Sequence, residues 1–224
     1  MRSRPAVRAV AAVTCALLFA AGVAACGGGD DDDAATATTD DTEPESTTTT
    51  TEVSAAVALA LGDVAVASTG PETALDDATK AAILAAAQKY IDVAVSAPLL
   101  SGAVGEGYDT LFDASVAANA TGADRAVLTD EGITPVNATP TITPTPVRID
   151  ALADGAGALV FLAATFNIDV AGVTDAGPLT INRVNELTFV PGPNGTWPVT
   201  AYRVTVTRTT PDAATTTTTA EAGA

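Results

Sequence analysis

The sequence predicts an α+β domain in which helices come first and strands follow. Three observations lead to this fold class. Residues 72–96 repeat apolar side chains at the spacing of an α-helix, residues 132–146 hold four prolines, and beyond them apolar and polar residues alternate as in strands. Helices followed by hairpin-connected strands are typical of α+β domains. We therefore expect one globular domain over residues 53–208.

Helical periodicity is clearest over residues 72–96. Thr73 or Asp76 can cap the start of this helix, and Pro98 is expected to end it. A second helix is predicted over residues 108–119 and a short third one over 123–131. Residues 53–68 are apolar and fit either a first strand or an extension of the helical layer. Five apolar residues share one face of the first helix: Leu84, Ala87, Ile91, Ala94 and Val95.

Four strands are predicted after an extended connector at 132–146. The first starts at Val147 and turns at Asp154-Gly155, and the second carries an apolar row from Val160 to Val170. A loop at 171–178 leads to a third strand over 179–190, whose alternation is disturbed near Arg183–Glu186, as a β-bulge would do. The fourth strand is expected over 197–208, after a turn at 192–195.

The first 25 residues have the layout of a secretory signal. Three arginines precede an uncharged run rich in alanine and valine. The run ends in Val23-Ala24-Ala25-Cys26, which resembles the bacterial lipobox. The resemblance implies that Cys26 is the lipid attachment residue and that Val23, Ala24 and Ala25 flank the cleavage site. An ordinary cleaved signal or a single-span anchor is the alternative.

Two further segments are predicted to be disordered. Residues 26–52 hold nine acidic residues, nine threonines and no base, so they cannot bury enough apolar surface to offset their chain entropy. We interpret this segment as a tether between a lipid anchor and the domain. The tail, residues 209–224, is rich in threonine and alanine and is expected to be disordered as well.

The order of elements resembles the NTF2-like (cystatin-like α+β cone) superfamily. Three segments carry the resemblance: Tyr108–Phe112, Gly122–Gly132, and Thr196–Arg208, which follows the turn at Asn194-Gly195. In particular, the chain looks like an actinobacterial group of small exported NTF2-like lipoproteins. The resemblance implies helices packed on a curved antiparallel sheet, with an open mouth between them. Pro198 departs from the pattern, since relatives usually carry a charged or polar residue there.

Composition excludes several classes of function. The 224 residues include 27 acidic and 10 basic residues, for a net charge of -17, and there is no histidine. Nucleic-acid binding is disfavoured, because phosphate contacts need lysine and arginine. The absence of histidine excludes triads and metal sites that depend on it. We predict no catalytic residue, no cofactor and no metal site.

Aromatic residues are the candidates for lining a cone pocket, although at these spacings such residues are more often plain core. They are Tyr90, Phe112, Phe166, Trp197 and Tyr202. The carboxylate–phenol neighbours on the predicted helices are Asp92 with Tyr90 and Asp109 with Tyr108. Residues one position apart on a helix point about 100° apart and residues two positions apart about 200°, so neither pair converges by itself.

Arg183 and Arg203 are the candidates for contacting an anion. Both interrupt strand rows that are otherwise apolar, and they share a face if their strands pair suitably. The alternative is an ordinary salt bridge to Glu186 or Asp169.

Two functional hypotheses from different classes follow. The first is a non-catalytic module at the outer face of the cytoplasmic membrane, held there by its N-terminal lipid, that binds an envelope protein or an apolar ligand. The second is a small-molecule isomerase or dehydratase that uses the cone pocket. A deep, closed pocket faced by a desolvated carboxylate would favour the enzyme, and a shallow or collapsed cone would favour the module.

Overall fold

The computed structural model describes residues 57–133, 139–210 and 213–223. Its helical elements are α1 (Asp77–Ile91), a π-helical turn (Asp92–Ser96), α2 (Ala97–Ser101), α3 (Ala114–Thr121) and α4 (Arg125–Leu128), with 3-10 turns at Tyr108–Leu111 and Pro193–Gly195. Its strands are β1 (Leu61–Ser68), β2 (Thr141–Pro144), β3 (Val147–Ala153), β4 (Leu159–Thr174), β5 (Gly177–Phe189), β6 (Val199–Thr210) and β7 (Ala213–Ala222).

The seven strands form one mixed, open sheet. Its order is β1-β3-β4-β5-β6-β7, and the short β2 pairs with β4 beyond the end of β3. All neighbours are antiparallel except β1 and β3. The α-helices lie between β1 and β3 in the chain, and such a crossover is what parallel strands require. The α+β class is thus confirmed, while the parallel pair departs from the antiparallel sheet that was expected.

The predicted first helix runs further than expected. Asp76 caps it, because its carboxylate accepts a hydrogen bond from the Thr79 backbone N–H. Pro98 does not end the helical stretch, since it occupies the first turn of α2, where a missing N–H is tolerated, directly after the π-helical turn. The stretch ends at Gly102, whose φ of 79° is left-handed and suits glycine.

The stretch Asp77–Ser101 is long and apolar enough to cross a membrane by length and composition alone. Its most apolar part has a mean hydropathy of 1.3, and 56% of that part is buried within the protein. This burial is what the core helix of a folded domain shows, and the buried side chains of the stretch belong to the hydrophobic core.

The second predicted helix is broken in two. A 3-10 turn covers Tyr108–Leu111, Phe112 is extended and forms an isolated bridge to Val199, and Asp113 then caps α3. The Asp113 carboxylate accepts from the Ser115 backbone N–H, which favours a fresh helix start over continuation. The third predicted helix is present as the shorter α4.

The first two predicted strands are present with small changes. The ambiguous segment 53–68 supplies β1, although residues 53–56 lie outside the described ranges. The apolar row of β4 is buried from Leu162 to Val170, whereas Val160 is 47% exposed, because the β3–β4 register shifts beside it. The hairpin turn after β3 has its positive φ at Gly157 and not at Asp154-Gly155.

Two loop predictions in the second half are wrong. The loop expected at 171–178 is mostly strand, because β4 extends to Thr174 and β5 starts at Gly177, which leaves a two-residue turn. The bulge expected near Arg183–Glu186 is also missing from β5. Burial alternates without interruption through that strand, and the buried positions include Arg183 and Asn185.

The tail predicted to be disordered forms a strand. Residues 209–210 end β6, and β7 (Ala213–Ala222) pairs antiparallel with β6, with Ala220 and Ala222 buried. Threonine hydroxyls pair across the two strands, at Thr205–Thr219, Thr207–Thr217 and Thr209–Thr215. Composition misleads here because β-branched threonine suits a pleated surface even where little apolar area is buried.

Candidate binding site

An ionic cluster occupies the face of the sheet that packs against the helices. Arg183 of β5 is fully buried, and its Nη1 lies 3.0 Å from Oδ1 of Asp130, which is also fully buried. Arg208 of β6 reaches the same Oδ1 with Nη2 at 2.8 Å. Asp130 follows α4, so the cluster joins the helical half of the chain to the centre of the sheet.

Backbone carbonyls around the end of α4 offset the surplus positive charge of two arginines on one carboxylate. Arg183 Nη2 donates to the Leu128 carbonyl at 2.8 Å and to the Val127 carbonyl at 3.1 Å. Arg208 Nη2 donates to the Thr129 carbonyl at 3.1 Å. Carbonyls at a helix C-terminus lack helical partners and carry partial negative charge, so cations bind there favourably.

Tyr90 completes the cluster from α1. Its hydroxyl accepts from Arg183 Nη2 at 3.1 Å and donates to the Leu128 carbonyl at 2.9 Å. Burial raises the pKa of Tyr90 above its ordinary value and outweighs the opposing effect of the nearby Arg183 charge. Burial is the largest single effect on Arg183 and lowers its pKa, but the charges and hydrogen bonds of Asp130 and Tyr90 together outweigh it, so the Arg183 pKa is raised. Both side chains therefore hold their protons at neutral pH.

A second group of aromatic side chains lies beside β6. The Tyr202 hydroxyl donates to Asp124 Oδ2 at 2.7 Å, and its ring packs edge-on against Phe112 at a centroid distance of 5.9 Å. Phe112 packs in turn against Tyr108 at 5.3 Å, and the Tyr108 hydroxyl donates to the Ala120 carbonyl. This row of rings is core.

Of the five aromatic residues that were candidates for lining a pocket, four are buried in the core. Phe166 is 2% exposed, and Tyr90, Phe112 and Tyr202 are buried as well. Trp197 alone is half-buried and borders an open groove.

The carboxylate–phenol neighbours do not meet. Asp92 and Asp109 are exposed on the surface, while the hydroxyl groups of Tyr90 and Tyr108 bond into the core. The phenol–carboxylate contact in the described structure is instead Tyr202 with Asp124, whose residues are 78 apart in sequence.

The two candidate arginines lie on opposite faces of the sheet. Arg183 is opposite the buried Val206, and Arg203, three residues from Val206, points outward. Arg203 bonds to Glu221 of β7 at 3.0 Å and Arg183 to Asp130, so neither Glu186 nor Asp169 is the partner. The expectation that the two arginines share an anion is therefore wrong, because the register separates them.

The groove beside Trp197 has a volume of about 320 Å³. Ala86 and Lys89 of α1 form one wall, Thr110 and Leu111 another, and the third is built by Phe189 together with the segment Thr196–Val199 that leads into β6. Pro198 lies in this segment just before β6 starts, where it removes no ladder hydrogen bond. The groove is thus shaped by three separate parts of the chain.

Asp130, Asp124 and Lys89 belong to these sites but were not among the candidate site residues that the sequence predicted. The signal for the ionic cluster was present, since Arg183 interrupts an apolar strand row, but a polar residue in a buried row does not reveal its partner. Within the described ranges, no three carboxylates or thiols converge as metal ligands would. Val23, Ala24, Ala25 and Cys26, with the whole predicted signal and tether, lie outside the described residues.

Comparisons with protein-family models, with curated proteins and with solved structures give no match to this chain.

Proposed function

We propose that this protein is an exported lipoprotein, anchored through Cys26 to the outer face of the cytoplasmic membrane. Its folded domain, which we propose to be an NTF2-like cone, acts as a non-catalytic binding or accessory module in the cell envelope. The lipobox-like segment Val23–Cys26 supports the anchor, and the helices-then-hairpins order of α1 to β6 supports the cone.

The observation that carries the non-catalytic role is the filling of the interior. Where an enzyme of this architecture would hold substrate, the Arg183 guanidinium bonds to both Asp130 and Tyr90. Asp130 is fully buried and its Oδ1 is bonded to both arginines, so this carboxylate does not face a space in which a substrate could meet a general base. The isomerase or dehydratase hypothesis therefore has less support than the binding module.

Lipid anchoring is tested by replacing Cys26. We expect the Cys26→Ala protein to move from the detergent phase to the aqueous phase in a phase-partition assay of the exporting host. The physical reason is that two acyl chains give stable membrane attachment, while a polar, acidic chain without them has no comparable affinity for lipid.

Cys15→Ala is the matched control, because Cys15 lies inside the predicted signal and should not carry lipid. Partitioning of this control should equal that of the wild type. The proposal is wrong if the Cys26→Ala protein stays in the detergent phase.

A further inference from the structure

The described structure pairs its positive charges almost completely. The domain contains seven lysines and arginines, and six of them have a carboxylate oxygen within 4.0 Å: Lys80, Arg125, Arg148, Arg183, Arg203 and Arg208. Lys89 is the exception, with no such oxygen among the residues that the structure describes. In a chain of net charge -17, an unpaired ammonium stands out.

Lys89 stands at the rim of the groove beside Trp197. Its Nζ approaches the turn at Gly107, where an added Cβ would lie 3.5 Å from that nitrogen. The floor of the groove is apolar, since Leu111 and Phe189 are buried and Ala86 and Trp197 are half-buried. Thr110 and Thr196 also line the groove, but each hydroxyl already donates its proton to a backbone carbonyl, of Gly107 and Pro193 respectively, so Lys89 is the charged donor that the lining offers.

This combination defines a ligand by charge and shape. An apolar floor with one cation at its edge is complementary to an apolar body that carries a single negative charge. A volume of about 320 Å³ is near the lower end for small-molecule sites, which limits the body to a short chain or one ring system. We infer that the groove binds a small amphipathic monoanion, such as a medium-chain carboxylate, with its head at Lys89 and its body against Trp197. This inference rests on the proposed role as a binding module and names its ligand class.

A purely structural role for Lys89 is the competing explanation. It lies in the last turn of α1, where a cation interacts favourably with the helix dipole. That role predicts an effect of Lys89 on stability but none on ligand binding, so the two explanations differ in a measurable quantity.

The test uses octanoate as the probe and 1-octanol as its neutral counterpart. Trp197 is the sole tryptophan of the chain, so its fluorescence reports directly on the groove. The purified Cys26→Ala chain is titrated at low ionic strength, because it carries no acyl chains that would compete. We expect a saturable change in Trp197 fluorescence with octanoate. Binding of 1-octanol should be about fivefold weaker, because that difference corresponds to the energy of an exposed charge pair.

Lys89→Met keeps the apolar stem and the helix propensity while it removes the charge. It should weaken octanoate binding about fivefold and leave 1-octanol unaffected, whereas Lys89→Arg should retain binding. Lys80→Met is the matched control, since Lys80 lies on the same helix but is paired with Asp77. Thermal unfolding of each variant verifies that it is folded.

Three results would overturn the inference: no saturable fluorescence response to octanoate, equal binding of octanoate and 1-octanol by the wild type, or an equal loss of octanoate affinity in the Lys80→Met and Lys89→Met variants. Lipid attachment at Cys26 is measured separately by partitioning, so failure of the anchor and failure of the ligand class are distinguishable.

Discussion

At the scale of single residues, Arg183 best illustrates what a sequence pattern reveals. A charged residue in an otherwise apolar strand row has two explanations, a bulge that turns it outward or a buried partner that neutralises it. The structure has the second, with Asp130 located 53 residues earlier in the chain. The cluster is not fully satisfied, because Asp130 Oδ2 and Arg183 Nε have no hydrogen-bond partner among the described residues.

Removing the negative charge of Asp130 should therefore be costly. In Asp130→Asn, two arginines remain near one another without their carboxylate, and one of them is fully buried. We expect the free energy of unfolding to fall by roughly 3–5 kcal/mol, as for other buried pairs that lose one partner. Urea denaturation followed by Trp197 fluorescence measures this change.

Asp150→Asn is the control for that substitution. Asp150 bonds to Arg148 at 2.8 Å, but both side chains are largely exposed, so its loss should cost about 0–1 kcal/mol. Equal effects of the two substitutions would show that Asp130 contributes no more than a surface ion pair.

At the scale of elements, β7 shows how a composition rule fails. Residues 213–220 carry no charge and no large aliphatic side chain, which is typical of disordered tails. A strand that adds to the edge of a sheet needs fewer large aliphatic side chains, because β6 already presents unpaired backbone groups and a matching row of threonines. The strand is stabilised by the backbone ladder and the three hydroxyl pairs to β6.

Hydrogen exchange tests this strand directly. Within β7, we expect every second amide to exchange at least about tenfold more slowly than its neighbours, because only alternate N–H groups of an edge strand face its partner. Residue-resolved exchange by NMR on the full chain is the measurement. Uniformly fast exchange from Ala213 to Ala222 would mean that the tail is not paired.

At the scale of the whole molecule, the ionisable groups determine how the free energy of unfolding depends on pH. There is no histidine, so no side chain of ordinary pKa titrates near neutrality apart from a thiol. Burial raises the pKa of Tyr90, Tyr108 and Tyr202, and for Tyr202 the bond to Asp124 adds to this effect. Backbone N–H groups lower the pKa of the capping residues Asp76 and Asp113.

The sign of each shift predicts where stability is lost. Above pH 10 or so, the unfolded chain releases tyrosine protons that the folded chain keeps, so unfolding becomes easier by up to about 1.4 kcal/mol per pH unit for each tyrosine. In acid, stability falls as the pH drops through the ordinary range of aspartate, because the caps must be protonated. Between these limits we expect the free energy of unfolding to change little with pH.

Urea midpoints measured from pH 3 to pH 11 would establish this profile. A midpoint that stays constant above pH 10 would contradict the burial of the three tyrosine hydroxyls. Tyrosinate absorbance, recorded on the same samples, should rise together with unfolding and not before it.

What the sequence determined by itself is local. The period of apolar residues identified α1 and the four strands from β3 to β6, and turn-forming glycine and proline residues located most of the turns between them. Both signals are local, because they act over a few neighbouring residues. The lipobox-like segment is likewise a local signal, and the proposed anchor depends on it alone.

The tertiary structure decided everything that depends on partners far apart in the chain. It placed β1 parallel to β3, turned a predicted bulge into a buried arginine and made a strand of the tail. It also brought Lys89 to the groove beside Trp197, where no carboxylate of the described residues pairs with it. Each outcome depends on which distant segment lies opposite, and local periodicity carries no information about that. The physical reason is that a strand edge or a buried charge is stabilised by whichever complementary group the fold brings to it.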